Sequence, residues 1–251
     1  MDIPTSSRPE GRYEERYLAF IDVLGFSDII RKTRNQPELI SVVHEALVGI
    51  TRAAVSSRSS ILGIQASSFS DNVVISLPLS GPGLLHLFGL INNFSQELLA
   101  LGMLFRGAIA KGGALHTEHV IFGPALVEAY NLETKVSLHP RVMLSDPVLE
   151  DAKSYAGKSS DQVKLFKRLV REDAFDVPYL NFFTEWEEDD VAWQPESVAK
   201  LNVLSVIIEK GLKENAKNPN VAEKYRWMAR QLDQFVASKR LGAKVPKIEM
   251  Y

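Results

Sequence analysis

Two aspartates, Asp22 and Asp71, stand where apolar runs of the sequence end, and a carboxylate in such a place can do chemistry. Asp22 lies within the apolar residues 20–26, and Asp71 lies between residues 61–69 and 73–79, two runs rich in β-forming side chains. A carboxylate beside a buried strand is costly unless it holds a positive charge. Hard divalent cations prefer oxygen ligands, so the pair predicts a site for one or two Mg²⁺ or Mn²⁺ ions.

A turn suited to an anion follows the first aspartate. The chain passes from Asp22 through Gly25 to a predicted helix start near Ser27. Glycine lets another group approach the backbone closely, and the free amides at a helix start favour a phosphate. Metal and phosphate would then meet at one place. Taken singly, each motif also fits ordinary local structure, because an aspartate after a strand is often a helix N-cap or a turn residue.

The order of predicted elements explains how the two aspartates can meet. In chain order these elements are a strand at residues 17–24, a helix after Pro37, a hairpin at 61–79, a helix at 84–101 capped by Gly102, and a strand at 104–115. This βαββαβ order predicts an α+β, ferredoxin-like palm fold, in which a four-stranded antiparallel sheet carries its helices on one face. The end of its first strand lies beside the hairpin turn, so Asp22 and Asp71 can reach the same ions.

Composition limits the class of protein. The chain has 251 residues, a net charge of −2 and no cysteine. So weak a charge gives no field for non-specific binding of DNA or RNA, and the lack of cysteine excludes disulfides and thiolate-bound metals. No uncharged apolar run approaches the roughly 20 residues of a membrane span, and the first residues lack the apolar core of a signal peptide. We therefore expect a cytoplasmic protein that binds neither membranes nor nucleic acid.

Several motifs resemble those of class III nucleotidyl cyclases. Residues 20–26 resemble the first metal motif of that family, and Asp71 falls where its second metal aspartate lies. Residues 104–112 are similar to the strand that follows, and residues 122–133 resemble the family's tryptophan-glycine turn and the helix after it. Together these motifs cover roughly residues 17–145 in the order and spacing of the family.

The sequence departs from that family where adenine is read and where the transition state is stabilised. Adenylate cyclases carry a lysine four residues before the second metal aspartate and an aspartate two residues before the tryptophan-glycine turn, and these positions hold Ser67 and Val120 here. The asparagine and arginine of the following helix correspond to Val127 and Asn131. A standard adenylate or guanylate cyclase is therefore disfavoured.

The variant pattern as a whole resembles the pyrimidine cyclases of the bacterial Pycsar anti-phage system. The motifs that carry this resemblance are residues 69–72, 106–109, 122–125, 128–133 and 140–142. The resemblance implies a lyase that converts UTP to 3′,5′-cyclic UMP and pyrophosphate for defence against phage, with a separate downstream effector that responds to the product. UTP is preferred, and CTP with cyclic CMP as its product stays open. Sites of this class lie between two domains arranged head to tail, so a homodimer is expected.

The resemblance also implies roles for individual residues. In the implied reaction the ribose 3′-hydroxyl attacks the α-phosphate and pyrophosphate leaves, while two divalent ions, Mn²⁺ or Mg²⁺, activate the hydroxyl and neutralise charge. The assigned residues are Asp22, Asp71 and the Val23 carbonyl for the metals, the amides of Leu24, Gly25, Phe26 and Ser27 for the phosphates, and Ser67 and Val120 for the base. Arg106, Lys111 and Arg141 are the candidates for the cation that replaces the missing arginine.

Other interpretations stay open. Lys111 and Arg141 also fit surface positions, and His116 is predicted to be structural or exposed, as is His119. Tyr130 and Glu133 are predicted to serve helix packing or an interface. The chain could also be a degenerate cyclase-like module that binds a nucleotide for regulation. A palm enzyme that makes linear or cyclic dinucleotides is a further alternative, although the hairpin lacks the Gly-Gly-Asp/Glu-Glu-Phe-like turn of such enzymes.

Three regions are predicted along the chain. Residues 1–15 have the composition of a flexible leader, residues 16–186 form the cyclase catalytic domain with a surface insertion at about 154–176, and residues 187–251 form a C-terminal helical extension. Within the extension, residues 198–213 and 221–238 have helical periodicity and could form an αα-hairpin.

Overall fold

The structure, a computed structural model, describes residues 11–55, 62–100, 103–157, 159–173 and 177–249. Most of the predicted leader, the predicted cap at Gly102 and parts of the predicted insertion lie outside these residues. The strands are β1 (Glu14–Leu24), β2 (Gln65–Phe69), β3 (Asn72–Pro78), β4 (Leu104–His116), β5 (Ile121–Phe122), β6 (Val142–Leu144), β7 (Val170–Glu172) and β8 (Pro178–Leu180). The helices are α1 (Phe26–Lys32), α2 (Glu38–Val55), α3 (Gly81–Ala100), α4 (Pro124–Lys135), α5 (Asp146–Ala156), α6 (Ser160–Leu169), α7 (Asp189–Ala192), α8 (Pro195–Glu214) and α9 (Pro219–Ser238).

The strand order confirms the predicted α+β, ferredoxin-like fold. The sheet runs β2-β3-β1-β4-β6-β8-β7, and β5 pairs with the end of β4. Its first four strands are antiparallel, with β1 between β3 and β4 and with β2 joined to β3 by the predicted hairpin. Both crossovers of the βαββαβ unit are helical, which is the arrangement that its element order favours.

Strands after the βαββαβ unit widen the sheet. Strand β6 pairs with β4 in parallel, β8 pairs with β6, and β7 forms the outer edge. The predicted surface insertion at about 154–176 therefore includes part of the sheet, and Leu169 and Val170 are buried in the main core. This stretch is polar in composition because α6 has apolar residues on one side only. An average over the whole stretch therefore does not show that this side packs against the core.

Both faces of the sheet are covered. Alternate residues of β1, among them Tyr17, Ile21 and Val23, pack in the core with α2, α3 and α5, whereas Leu18 and Phe20 pack against α4 on the other face. The two helices of the βαββαβ unit thus lie on one face, as predicted, and α4, which follows that unit, covers the other. Burial on both faces explains why the sequence of β1 is almost continuously apolar instead of alternating.

The C-terminal helices α8 and α9 form the predicted αα-hairpin. They share a second core with the adjoining end of the sheet, which includes Leu104, Tyr179 and Trp186. The ring of Trp227 on α9 stacks on His139 with centroids 5.5 Å apart, which joins the hairpin to the segment between α4 and β6. No helix within the described ranges is long and apolar enough to cross a membrane.

Candidate active site

Asp22 and Asp71 lie on neighbouring backbone segments, as the topology predicts. Asp22 pairs with Asn72 in the β1–β3 ladder, and the amide of Val23 donates to the carbonyl oxygen of Asp71 at 2.8 Å. The hairpin turn places Ser70 at φ 55°, in the left-handed region that tight hairpin turns use. A tight turn thus holds Asp71 at the end of the strand that carries Asp22. The Asp71 carboxylate accepts a hydrogen bond from Asn72 Nδ2 at 3.1 Å.

Arg106 lies beside Asp22 on the face of the sheet that α4 covers. The two residues are paired in the β1–β4 register, and Arg106 Nε donates to Asp22 Oδ2 at 3.1 Å. The same Nε lies 2.5 Å from Glu133 Oε1 on α4, so one guanidinium pairs with two carboxylates. The Arg106 side chain is 19% exposed and that of Glu133 only 2%, so these charges are largely removed from water.

A second cation, Lys224 on α9, interacts electrostatically with this group. Burial lowers the pKa of Lys224, and the nearby Arg106 charge lowers it further, while Asp22 and Glu133 act in the opposite direction. Burial raises the pKa of Glu133, whereas the charge of Arg106 lowers it. We call these four residues the Asp22 cluster. Two carboxylates and two cations balance each other there, and sequence reasoning did not include Glu133 or Lys224 in the site.

The oxygens of Asp22 and Asp71 suit a hard divalent cation, and both side chains remain partly accessible to solvent. Within the described part of the chain, no group of three or more His, Cys, Asp or Glu side chains is arranged to hold a metal. A two-carboxylate set fits Mg²⁺ or Mn²⁺ when phosphates and water complete the coordination shell. Arg106 donates a hydrogen bond to Asp22 Oδ2, and the positive charge of its guanidinium opposes a second cation at Asp22.

The predicted phosphate turn has a left-handed backbone conformation at its glycine. Gly25 has φ 79°, which a side chain at this position would disfavour. Its carbonyl accepts hydrogen bonds from the amides of Asp28 and Ile29 at 3.1 and 3.2 Å, so these two amides serve the first turn of α1. Phe26 is buried and Ser27 is exposed. Leu24 and Gly25 line a cleft that opens toward α8 and α9.

A second polar group lies on the α4 face at Ser67. The buried His116 bridges two serines, with Ser67 Oγ 2.9 Å from Nε2 and Ser76 Oγ 2.7 Å from Nδ1. Burial, reinforced by the Arg16 charge, lowers the pKa of His116 to about 4, so the imidazole is neutral at pH 7. Ser67 lies two strands and two residues from Asp22, which corresponds to about 12 Å between Cα atoms. The prediction that His116 is structural did not anticipate its contact with Ser67.

Val120 lies in the exposed turn after β4. Its carbonyl accepts a hydrogen bond from the Thr117 amide at 2.9 Å, and the next residue, Ile121, pairs with His116. Val120 is therefore one residue from the strand position that pairs with His116, whereas Ser67 contacts the His116 ring directly. His119, in the same turn, is exposed, as predicted.

Of the three predicted cations, only Arg106 contacts one of the two aspartates, Asp22. Lys111 lies on the face of the sheet opposite to Asp22, where it forms an ion pair of 2.7 Å with Asp151. Asp151 also accepts a hydrogen bond from Tyr17 on that face. Arg141 is buried, pairs with Asp173 at 2.7 Å and lies 5.3 Å from the centre of the Tyr179 ring. Catalytic roles for Lys111 and Arg141 stay predictions, and both side chains form ion pairs with other carboxylates, Asp151 and Asp173.

Comparison with known proteins adds little to this description. No protein-family model matches the chain, and no curated protein matches it by sequence. The chain is similar to a solved structure of a bacterial light-regulated adenylyl cyclase, with 16% sequence identity and a TM-score of 0.34. The alignment covers 55% of this chain and 45% of that one, so the chain spans less than half of that protein. The assignment of the fold depends on the strand order and not on this likeness.

Proposed function

We propose that the protein is a pyrimidine nucleotide cyclase that converts UTP to 3′,5′-cyclic UMP and pyrophosphate. The observation that carries the proposal is the placement of Asp22 and Asp71 on adjoining backbone segments, joined by the Val23–Asp71 hydrogen bond of 2.8 Å. In the proposed role the cyclic product is a second messenger in defence against phage, and a separate effector responds to it.

Divalent ions held by Asp22, Asp71 and the Val23 carbonyl would supply charge neutralisation and acidify the ribose 3′-hydroxyl. The amides at the β1–α1 turn would bind and orient the phosphates. Arg106 is the proposed cation for charge that develops on the phosphoryl oxygens, because its guanidinium is already directed at Asp22. If the hydrogen bond between Arg106 and Asp22 opened, the carboxylate would be free to bind a metal ion and the guanidinium would be free to bind the phosphoryl oxygens.

The hydrogen bonds around His116 support uracil over cytosine. Ser76 Oγ accepts a hydrogen bond from Arg16 Nε at 2.9 Å, so the Ser76 hydroxyl hydrogen is available for His116 Nδ1. A neutral imidazole that accepts at Nδ1 carries its proton on Nε2 and donates it to Ser67. The Ser67 hydroxyl is then free to donate to a ligand. Ring position 4 of uracil is a carbonyl that accepts such a bond, whereas cytosine has an amino group there.

The preference for uracil can be tested at Ser67. Ser67→Ala should lower the ratio of kcat/KM for UTP over CTP by about tenfold, because one specific hydrogen bond is lost. Ser68→Ala is the matched control, since Ser68 is the next residue of β2 and its side chain lies on the other face of the sheet. Equal ratios for the wild type and Ser67→Ala would show that the base is read elsewhere.

An exposed apolar surface supports the expected homodimer. Tyr13, Phe122, Val127 and Tyr130 are each about half exposed, and the first three line a shallow depression beside α4. Apolar surface of this kind commonly marks an interface between proteins. A second copy of the chain is the proposed occupant, and light scattering on the purified protein should give the mass of a dimer.

The activity itself is tested directly. The full chain should be incubated with UTP, CTP, ATP or GTP and Mn²⁺, and the products identified by mass spectrometry. Cyclic UMP from UTP is the expected product. The absence of any cyclic mononucleotide would contradict the proposal.

One observation favours a second candidate, a module that binds a nucleotide for regulation without turnover. The carboxylate of Asp22 is engaged by Arg106, which competes with a cation at that position. A regulatory module would bind UTP or CTP in calorimetry and return it unchanged. The same incubation with mass spectrometry distinguishes it from a cyclase.

A further inference from the structure

A cleft lies where the C-terminal αα-hairpin faces the turn after β1. This hairpin cleft has a volume of about 350 Å³ and is bounded by the β1–α1 turn, by α1 and α2, and by the facing sides of α8 and α9. Its volume falls in the range of small-molecule sites. The charged residues that line it are Asp28, Lys32, Lys210, Glu214 and Lys224.

Lys224 connects the hairpin cleft to the Asp22 cluster. It lines the cleft together with Gly25, and it also interacts electrostatically with Asp22, Arg106 and Glu133. The other lysine that the hairpin contributes, Lys210, is exposed and lies 3.9 Å from Glu214 on its own helix. A ligand in the cleft would therefore meet the predicted phosphate turn on one side and Lys224 on the other.

Packing of the hairpin holds Lys224 in place. Tyr225, the next residue, packs so closely on Gly211 that a Cβ there would lie 2.2 Å from Tyr225 Cε1. Trp227, one turn further on, is anchored by His139 and lies edge-on to Tyr179. Glycine at position 211 thus permits the close approach of α8 and α9, and the backbone at Lys224 is fixed by contacts on both sides.

We infer that the hairpin cleft binds the polyphosphate group of the nucleotide, with Lys224 donating to a phosphate oxygen across from Gly25. The inference rests on the proposed function for the identity of the nucleotide and goes beyond it by assigning part of the substrate site to the C-terminal hairpin of the same chain. Lys224 is partly withdrawn from water, and an incoming phosphate would replace the solvation that its ammonium group has lost.

The test measures binding without catalysis. Inorganic tripolyphosphate is titrated into the full-length protein by calorimetry, for the wild type and for Lys224→Met, Lys224→Arg and Lys213→Met. Lys224→Met should weaken binding by about tenfold or more, because a charge-assisted hydrogen bond is lost. Lys224→Arg should retain most of the affinity, since it keeps the charge.

Lys213→Met is the matched control. Lys213 lies in the last turn of α8, is exposed and does not line the cleft, yet its replacement removes the same unit of charge. It should bind tripolyphosphate as the wild type does. Equal losses in Lys213→Met and Lys224→Met would indicate a general charge effect and overturn the inference, as would unchanged affinity in Lys224→Met or no binding by the wild type.

Failure of this inference is distinguishable from failure of the proposed function. If Lys224→Met binds tripolyphosphate as the wild type does and the wild type makes cyclic UMP, the proposed function is supported and the assignment of the cleft is wrong. If tripolyphosphate binding depends on Lys224 but no cyclic nucleotide is formed, the cleft is a polyphosphate site in a protein with a different activity. Thermal unfolding of each variant shows whether the fold is intact, and Lys224→Arg, which keeps the charge balance of the Asp22 cluster, separates a loss of binding from a loss of stability.

Discussion

Each face of the sheet carries an ion pair that joins a basic residue of β4 to a carboxylate, and the two pairs are built differently. On the face packed by α5, Lys111 pairs with Asp151, and Tyr17 donates to the same carboxylate. On the α4 face, Arg106 is divided between two carboxylates beside a second cation. The first arrangement holds α5 to the sheet, whereas the second includes Lys224, which also lines the hairpin cleft.

Loss of the second predicted metal ligand should have the largest effect. Asp71→Asn keeps the size of the side chain in the hairpin turn and removes its charge. We expect formation of the cyclic product to fall by about 10³-fold or more, because metal stabilisation of developing charge is worth several kcal/mol. Mass spectrometry of the product, together with thermal unfolding of the variant, is the measurement.

Asp151→Asn supplies the comparison on the other face. It removes a carboxylate from the Lys111 pair and should leave the rate of product formation close to that of the wild type. An Asp71→Asn variant that retains activity would contradict the metal assignment, and equal losses in both variants would contradict the distinction between the faces.

Removal of the shared cation should cost the most stability. Arg106→Met leaves the buried Glu133 and its neighbour Asp22 without their guanidinium, and an uncompensated charge of this kind costs about 4 kcal/mol of unfolding free energy. Urea denaturation measures the loss. The double variant Arg106→Met/Glu133→Gln should recover part of it, since Lys224 can then balance the one carboxylate that remains, Asp22. No recovery would show that Glu133 does not depend on Arg106.

Much of the fold could be predicted from sequence because hydrophobic runs and turn residues report local structure. The strand at Asp22, the hairpin at Asp71 and the C-terminal αα-hairpin all follow from such patterns. Contacts between distant elements have no such signal. Glu133 reads as a polar position on an amphipathic helix, and nothing local indicates that Arg106 lies beneath it. Lys224 on α9 interacts with Asp22, Arg106 and Glu133 only because the C-terminal hairpin packs beside them.

His116 offers a third measurement, again on the α4 face. Its pKa in the folded protein is about 4, below the value of 6.5 for the unfolded chain, because burial and then the Arg16 charge oppose protonation. Between these two pH values the unfolded state binds more protons, so stability falls as the pH is lowered through the window. The cost should reach roughly 3 kcal/mol near pH 4.

His116→Gln should lose this dependence. Urea denaturation of the wild type and the variant at several pH values between 6.5 and 4 gives the comparison. His119→Gln is the control, because His119 is exposed in the turn after β4 and its replacement should leave the pH dependence of the wild type. If His116→Gln follows the same pH dependence as the wild type, the imidazole is not held neutral by the fold.

The smallest effect is expected at the pair on the α5 face. Lys111→Met should cost about 1 kcal/mol of unfolding free energy, because both charges of the pair are partly exposed and Asp151 keeps the hydrogen bond from Tyr17. Salt separates the two sites further. Screening should shrink the difference between Lys111→Met and the wild type, whereas the loss in Arg106→Met should persist because Glu133 is shielded from solvent. Urea denaturation at low and high salt tests both statements, and an equal response of the two variants would show that the Asp22 cluster is as open to water as the pair on the other face.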